Sequence, residues 1–174
     1  ITYVTALIGS LALIGFPFFS GFFSKDGIIE AVSLSTTPGA TFAYWLGLLG
    51  GFVTALYTFR MFFLVFHGSE RFREPDARGH PDAHHDDHGH HGPVEPRESP
   101  WVVTVPLILL AVPSVVAGYV VGPILFGDFF ADSLFVLEER DVLGQLAAGY
   151  TGVLGFVLHG LMMPPFWLAI GGLA

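Results

Sequence analysis

Long stretches of apolar residues constrain this chain more than any other feature of its sequence. Hydrophobic residues make up 52% of the 174 positions, and charged residues make up only 13%. A soluble domain carries about 25% charged residues. Apolar runs of 18 residues or more match the hydrocarbon core of a bilayer, which is about 30 Å thick. The sequence therefore predicts an all-α, polytopic transmembrane helical protein.

The apolar runs and the polar segments between them predict the order of elements. In chain order these are a broken transmembrane helix (1–35), a transmembrane helix (43–66), a His-rich loop (67–99), a transmembrane helix (100–126), a polar connection (127–142), an interfacial or membrane-packed helix (143–163) and the start of a further span (166–174). Both ends of the chain fall inside apolar runs, so we expect it to continue in a longer protein.

Residues 1–35 are too many for one straight span, because a continuous helix of this length would extend about 52 Å. One interpretation ends the span near Phe23 and leaves Lys25 and Asp26 at the membrane interface. In the other, the helix is broken inside the membrane and the freed backbone groups face protein or water. The residues that would break it are Gly15, Pro17 and Gly21.

Basic residues indicate the orientation, because Lys and Arg are enriched in cytoplasmic loops. The 127–142 connection contains only Arg140. The His-rich loop contains Arg71, Arg73, Arg78 and Arg97. We therefore expect the His-rich loop on the cytoplasmic side of the membrane and the 127–142 connection on the outer side.

Lys25 is the most informative candidate for chemistry, and it is the only lysine in the chain. An ammonium group inside a bilayer costs several kcal/mol unless it is partnered or hydrated, so such a residue is a functional candidate. Desolvation favours the neutral amine, which suits a buried lysine to accept and release protons. Asp26 follows it directly and offers a partner. The alternative is that both residues form an ordinary interfacial cap.

Three other ionisable residues lie in apolar segments. Arg60 lies six residues from the end of its span, about 9 Å below the predicted cytoplasmic boundary. Its guanidinium either reaches the interface or lines the cytoplasmic side of a polar path. Glu30 is expected to be solvated, with Lys25 or a neighbouring subunit as other possible partners. His159 is expected to be a hydrogen-bonded packing residue.

The chain offers little for metals, cofactors or nucleic acids. The densest group of possible metal ligands consists of His80, His84, His85, His88, His90 and His91, with Asp82, Asp86 and Asp87. No flanking order fixes their geometry, so we predict no metal site. The absence of cysteine excludes thiolate-held clusters, and no nucleotide-binding motif occurs. The few basic residues argue against nucleic-acid binding.

Three ordered stretches resemble a known family. LALIGFPFFSGFFSKDGIIEA resembles the broken-helix signature of antiporter-like subunits, in the form found in subunit L of the proton-pumping NADH:quinone oxidoreductase, respiratory complex I. ALYTFRMFFLVFHGSERF and ESPWVVTVPLILLAVPSVVAGY are similar to the next two segments of that subunit. The resemblance implies two inverted five-helix repeats, each with one broken helix. This chain would supply the second broken helix and the segments that follow it.

The resemblance also implies a function. Lys25 would be a protonatable residue of the polar axis towards the outer half-channel, with Asp26 and Arg60 at further positions of the proton path. Protons would cross the bacterial inner membrane, driven by NADH oxidation and quinone reduction in other subunits. The implied partners are the other membrane-arm subunits and the lipid bilayer. No cofactor, no catalytic site and no direct contact with NADH or quinone are expected in this chain.

Three alternatives remain at this point. The large subunit of a multisubunit Na⁺/H⁺ antiporter shares the broken helix. A divalent-metal transporter with a His-rich loop would need metal ligands within its spans, where the sequence offers no suitable His or acidic pair. A purely structural membrane anchor would make Lys25 dispensable.

Overall fold

The computed structural model describes residues 1–69, 96–127, 129, 136–137 and 141–173, and it contains no strand among them. The helices in this part of the chain are α1 (Thr2–Ile14), α2 (Ser20–Leu34), α3 (Ala40–Phe66), α4 (Trp101–Leu125), α5 (Val142–Gly149), α6 (Val153–Met162) and α7 (Pro164–Leu173). Helices α3 and α4 are each long and apolar enough to cross a membrane, and α5 with α6 would make a third, bent span. The predicted all-α membrane class is confirmed for the residues described.

The first apolar segment is interrupted between α1 and α2. Gly15 ends α1 with φ 77° and ψ 42°, a left-handed conformation that glycine adopts without steric cost. Pro17 follows and has no backbone N–H with which to continue a helix. The chain resumes helical structure at Ser20. Gly21, the third predicted breaker, lies inside the first turn of α2 rather than in the break.

Gly21 has a different role, because it lets the start of α2 approach the end of α1 closely. A Cβ atom at this position would overlap the carbonyl oxygen of Ala12. The two half-helices therefore meet backbone to backbone at this point. This close contact fixes where the side chains of the next turn of α2 lie relative to the end of α1.

Helices α1 and α2 each pack against both α3 and α4. Tyr3 at the start of α1 packs its ring against Phe66 at the end of α3. Ile29 in α2 lies opposite Gly47 near the start of α3. The broken segment therefore runs antiparallel to α3. The break lies near the middle of α3, since Ile14 belongs to one buried cluster with Ala55.

Aromatic rings packed on glycines hold α2 in place. Phe22 is completely buried, and its ring occupies the space that a side chain at Gly160 of α6 would need. Phe23 fills the same kind of space at Gly118 of α4. Phe156 of α6 stacks on Phe23, with ring centroids 5.7 Å apart. In a bilayer there is little hydrophobic driving force between helices, so close packing of side chains on small residues contributes strongly to helix association.

The structure corrects the sequence prediction in the C-terminal third. A single helix over 143–163 is wrong, because α5 ends at Gly149 and the axis of α6 departs from it by 104°. The bend includes Gly152, with φ 93° and ψ 176°, a conformation that is essentially restricted to glycine. Two helices also begin earlier in the structure than the sequence predicted. Helix α3 begins at Ala40 rather than at 43, and α7 begins at Pro164 rather than at 166.

Candidate functional site

Lys25 joins the two halves of the broken helix. It lies on α2, and its Nζ atom donates a hydrogen bond to the carbonyl oxygen of Leu13 in the last turn of α1, at 3.1 Å. The last four carbonyls of a helix have no partner within that helix. In α1, the carbonyl oxygens of Leu11 and Ala12 accept hydrogen bonds from backbone N–H groups just after the helix. The carbonyl oxygen of Leu13 accepts a hydrogen bond from the ammonium of Lys25. The negative end of a helix dipole also favours a cation here.

The surroundings of Lys25 are only partly polar. Its side chain is half-buried, and the nearby ionisable groups are Tyr57 of α3 and Asp26. Helix α2 continues without a break past Phe23, Lys25 and Asp26, from Ser20 to Leu34. The hydrogen bond to Leu13 places the Lys25 amine beside the end of α1.

Asp26 is buried and incompletely partnered. The residue is 7% exposed, and its Oδ2 atom has no hydrogen-bond partner among the residues described. It lines a cavity of about 30 Å³, which is enough for a water molecule. Glu30, Tyr44 and His159 line the same cavity. Because several polar side chains line this cavity, a polar occupant such as water would find hydrogen-bond partners there.

Glu30 and His159 form an ion pair or hydrogen bond, depending on the protonation of the imidazole. The distance from His159 Nε2 to Glu30 Oε1 is 3.0 Å. The side chain of Glu30 is 22% exposed and that of His159 is 52% exposed. Glu30 is therefore partly exposed and has a partner in His159, in addition to the solvation predicted for it. His159 has the hydrogen bond expected of it, but it lies at the surface of the packed helices rather than within them.

A second cavity adjoins the same pair. It has a volume of about 190 Å³, and both Glu30 and His159 line it together with Gln145 and Tyr150. The hydroxyl of Tyr150 is buried and has no hydrogen-bond partner in the described part of the chain. Glu30 and His159 thus line both cavities. Asp26 also lines the smaller cavity, and Gln145 also lines the larger one.

Arg60 is not part of this arrangement. Its side chain is exposed on α3, and it makes no hydrogen bond or ion pair with any of the described residues. Of the three predicted site residues, Lys25 and Asp26 are neighbours on α2, and Arg60 lies away from them on α3. The structure adds Glu30 and His159, which the sequence did not place in the site. Glu30 lies four residues after Asp26, a spacing that puts both on one helix face and was the available signal.

The His-rich stretch at 80–91 lies outside the described residues. Within positions 1–69, 96–127 and 141–173, no three His, Asp or Glu side chains are grouped closely enough to hold a metal ion. The titratable side chains on this part of α2 and on α6 are the amine of Lys25, the carboxyl groups of Asp26 and Glu30, and the imidazole of His159.

Comparison with curated proteins gives relatives along the whole chain. NADH-quinone oxidoreductase subunit L of Neisseria meningitidis serogroup A is 51% identical over 99% of this chain and 26% of its own length. NADH-ubiquinone oxidoreductase chain 5 of Marchantia polymorpha is 37% identical over 83% of this chain and 20% of its own length, and that of Arabidopsis thaliana is 36% identical over the same shares. The chain thus spans about a quarter of the first relative's length. No protein-family model matches it.

Proposed function

Since the chain belongs to the family of NADH-quinone oxidoreductase subunit L and chain 5, as the resemblance of its motifs implied, we propose that it takes part in proton translocation by that enzyme. It would work as a multi-pass segment in the bacterial inner membrane, beside other membrane-arm subunits. NADH oxidation and quinone reduction would take place in those other subunits. The His-rich loop would face the cytoplasm, as the distribution of arginines predicts.

One observation carries the proposal. The ammonium of Lys25 is held by the carbonyl oxygen of Leu13 at the interruption between α1 and α2, next to the buried carboxyl group of Asp26. An interrupted helix is tolerated at membrane depth only where its free backbone groups meet protein or water. Here the side chain that satisfies one such group is also one that can exchange a proton. A purely structural anchor would need neither the break nor the lysine.

Asp26 is the proposed acceptor next to Lys25. Its carboxyl group lies on the following residue, and Asp26 lines the small cavity together with Glu30. Arg60 remains a prediction for the cytoplasmic side of the path. Its exposed guanidinium would need a partner from outside the described residues.

The decisive experiment replaces Lys25 in a full-length subunit within the assembled enzyme. Lys25→Gln removes the exchangeable charge, and Lys25→Arg keeps a cation that does not deprotonate. We expect both to lose most NADH-driven proton uptake into inverted membrane vesicles, followed with a pH-sensitive dye. NADH oxidation with an artificial electron acceptor should persist in both, because the redox centres lie in other subunits.

Arg97→Gln is the matched control, since Arg97 is an exposed cation in the segment that precedes α4. It should pump as the parent enzyme does. Normal pumping by both Lys25 variants would refute the proposed role. Varying Na⁺ in the same vesicles tests the Na⁺/H⁺ antiporter alternative, which requires Na⁺-dependent proton movement without NADH.

A further inference from the structure

We propose that Glu30 and His159 form the outer proton-transfer pair of this path, and that water in the 30 Å³ cavity joins them to Asp26. The inference rests on the proposed function, because it extends the route that begins at Lys25. The pair would receive protons on the Asp26 side and release them into the 190 Å³ cavity beside α5.

The first support is the small cavity that Asp26 lines. The residue is more than nine-tenths buried, and its Oδ2 atom lacks a hydrogen bond with the described residues. Asp26 lines a cavity that accommodates a water molecule and whose other polar lining groups are Glu30, Ser33, Tyr44 and His159. A water molecule there has several polar partners, which is the condition for a stable buried position.

The second support is the geometry of the pair itself. With 3.0 Å between Oε1 of Glu30 and Nε2 of His159, a proton can pass directly between the two side chains. A proton delivered to the Glu30 carboxylate moves to Nε2 and forms an imidazolium. The ring then releases the proton on Nδ1 to the larger cavity, and exchange between the two ring nitrogens restores the starting tautomer. No proton is gained or lost in the cycle.

The third support is the position of the pair between the two cavities. Glu30 and His159 line both of them, whereas Asp26 lines only the smaller and Gln145 only the larger. Exposure increases along the proposed route from Asp26 to His159. The whole residue Asp26 is 7% exposed, the side chain of Glu30 is 22% exposed, and the side chain of His159 is 52% exposed. The ionisable groups facing His159 across these cavities are Asp26 and Glu30 of α2, Tyr44 of α3 and Tyr150.

A purely structural role for the pair would be to tie α6 to α2, and Glu30→Gln separates the two roles. The amide of glutamine keeps a hydrogen bond to the imidazole, but it does not take up and release protons. We expect Glu30→Gln in the full-length subunit of the assembled enzyme to slow NADH-driven proton transfer about tenfold or more. Enzyme assembly should be unchanged. Glu98→Gln, which alters an exposed carboxylate near the start of α1, is the matched control.

Chemical rescue tests His159 independently. His159→Ala should lose a similar share of proton transfer, and imidazole added to the vesicles should restore part of it, because the position is half exposed. Imidazole should not restore Glu30→Gln. If Glu30→Gln does not assemble, the result for His159→Ala with and without imidazole decides the question.

The outcomes distinguish this inference from the proposed function. Loss of pumping in Lys25→Gln together with normal pumping in Glu30→Gln and His159→Ala would overturn the pair's role and leave the role of Lys25 intact. Normal pumping in all three variants would overturn both. Loss in His159→Ala that imidazole does not relieve, with normal pumping in Glu30→Gln, would reduce the pair to a packing contact.

Discussion

Gly21 and Lys25 lie one turn apart on α2, and both depend on the position of the end of α1. Gly21 allows the backbone of α2 to approach Ala12, and Lys25 then reaches the carbonyl oxygen of Leu13. The absence of a side chain at one position therefore sets the reach of the charged side chain at the other.

We expect Gly21→Ala to damage the site. The added methyl group overlaps the Ala12 carbonyl oxygen, and forcing an atom into a packed position costs about 1–3 kcal/mol. Separation of the two half-helices would also move Leu13 away from Lys25. The measurement is the amount of assembled enzyme and its proton pumping per NADH oxidised.

The control for this change is Gly9→Ala in the middle of α1. A methyl group there meets no atom within 4 Å, and alanine favours helix by about 1 kcal/mol over glycine. It should be neutral or stabilising. Equal behaviour of the two variants would contradict the close approach at Gly21.

Some residues of the candidate site could be identified from the sequence, and others could not. Lys25 and Asp26 stood out because charges are rare in an apolar run. The Glu30–His159 contact joins positions 129 residues apart, so no local pattern could reveal it. Gly21 was predicted as a helix breaker. In the structure it is a contact residue, a difference that only the relative position of α1 and α2 reveals.

The two helix interruptions show how far elements can be read from sequence. Pro17 after Gly15 is a strong break signal, and the first interruption occurs there. The second, between α5 and α6, contains no proline. The glycines Gly149 and Gly152 flank Tyr150 and Thr151 there, and this signal is weak in a segment, 143–163, that is otherwise apolar and was predicted as one helix.

Gly152→Ala tests whether the bend between α5 and α6 depends on backbone conformation. A Cβ atom there meets nothing within 4 Å, but φ of 93° is strained for any other residue and costs about 1–3 kcal/mol. We expect a lower thermal midpoint for the purified enzyme and a weaker contact of His159 with Glu30.

Gly149→Ala is the comparison, because it also has open space around it and lies within α5. It should leave the thermal midpoint unchanged or raise it slightly. If Gly149→Ala lost as much stability as Gly152→Ala, the bend would not depend on the positive φ of Gly152.

At the scale of the whole molecule, the chain leaves large apolar side chains exposed on its two longest helices. Examples are Leu49 and Leu64 on α3 and Leu109 and Leu110 on α4, each more than half exposed. Apolar surface of this extent is suited to lipid or to neighbouring membrane subunits. Composition predicted this class, because it depends on the mean character of long runs. It could not predict which helices pair, since all are similarly apolar.

The pairing of α3 with α7 depends on a glycine and gives a further prediction. A Cβ atom at Gly172 would collide with the carbonyl oxygen of Phe52 and lie 2.8 Å from Cβ of Ala55. We expect Gly172→Ala to push α7 away from α3 and to release the subunit from the detergent-solubilised enzyme at a lower temperature. Gly171→Ala, whose nearest new contact is the Phe52 ring at 3.9 Å, should behave as the parent.

The hydrogen bond between Lys25 and Leu13 has one more consequence. The amine holds the end of α1 most strongly when it carries its proton, so charge state and backbone position are coupled, and such coupling is reciprocal. A displacement of α1 that lengthens this bond weakens the hold of the amine on its proton by the same free energy with which deprotonation loosens α1. Movement of the end of α1 and a change in the protonation of Lys25 would therefore each favour the other.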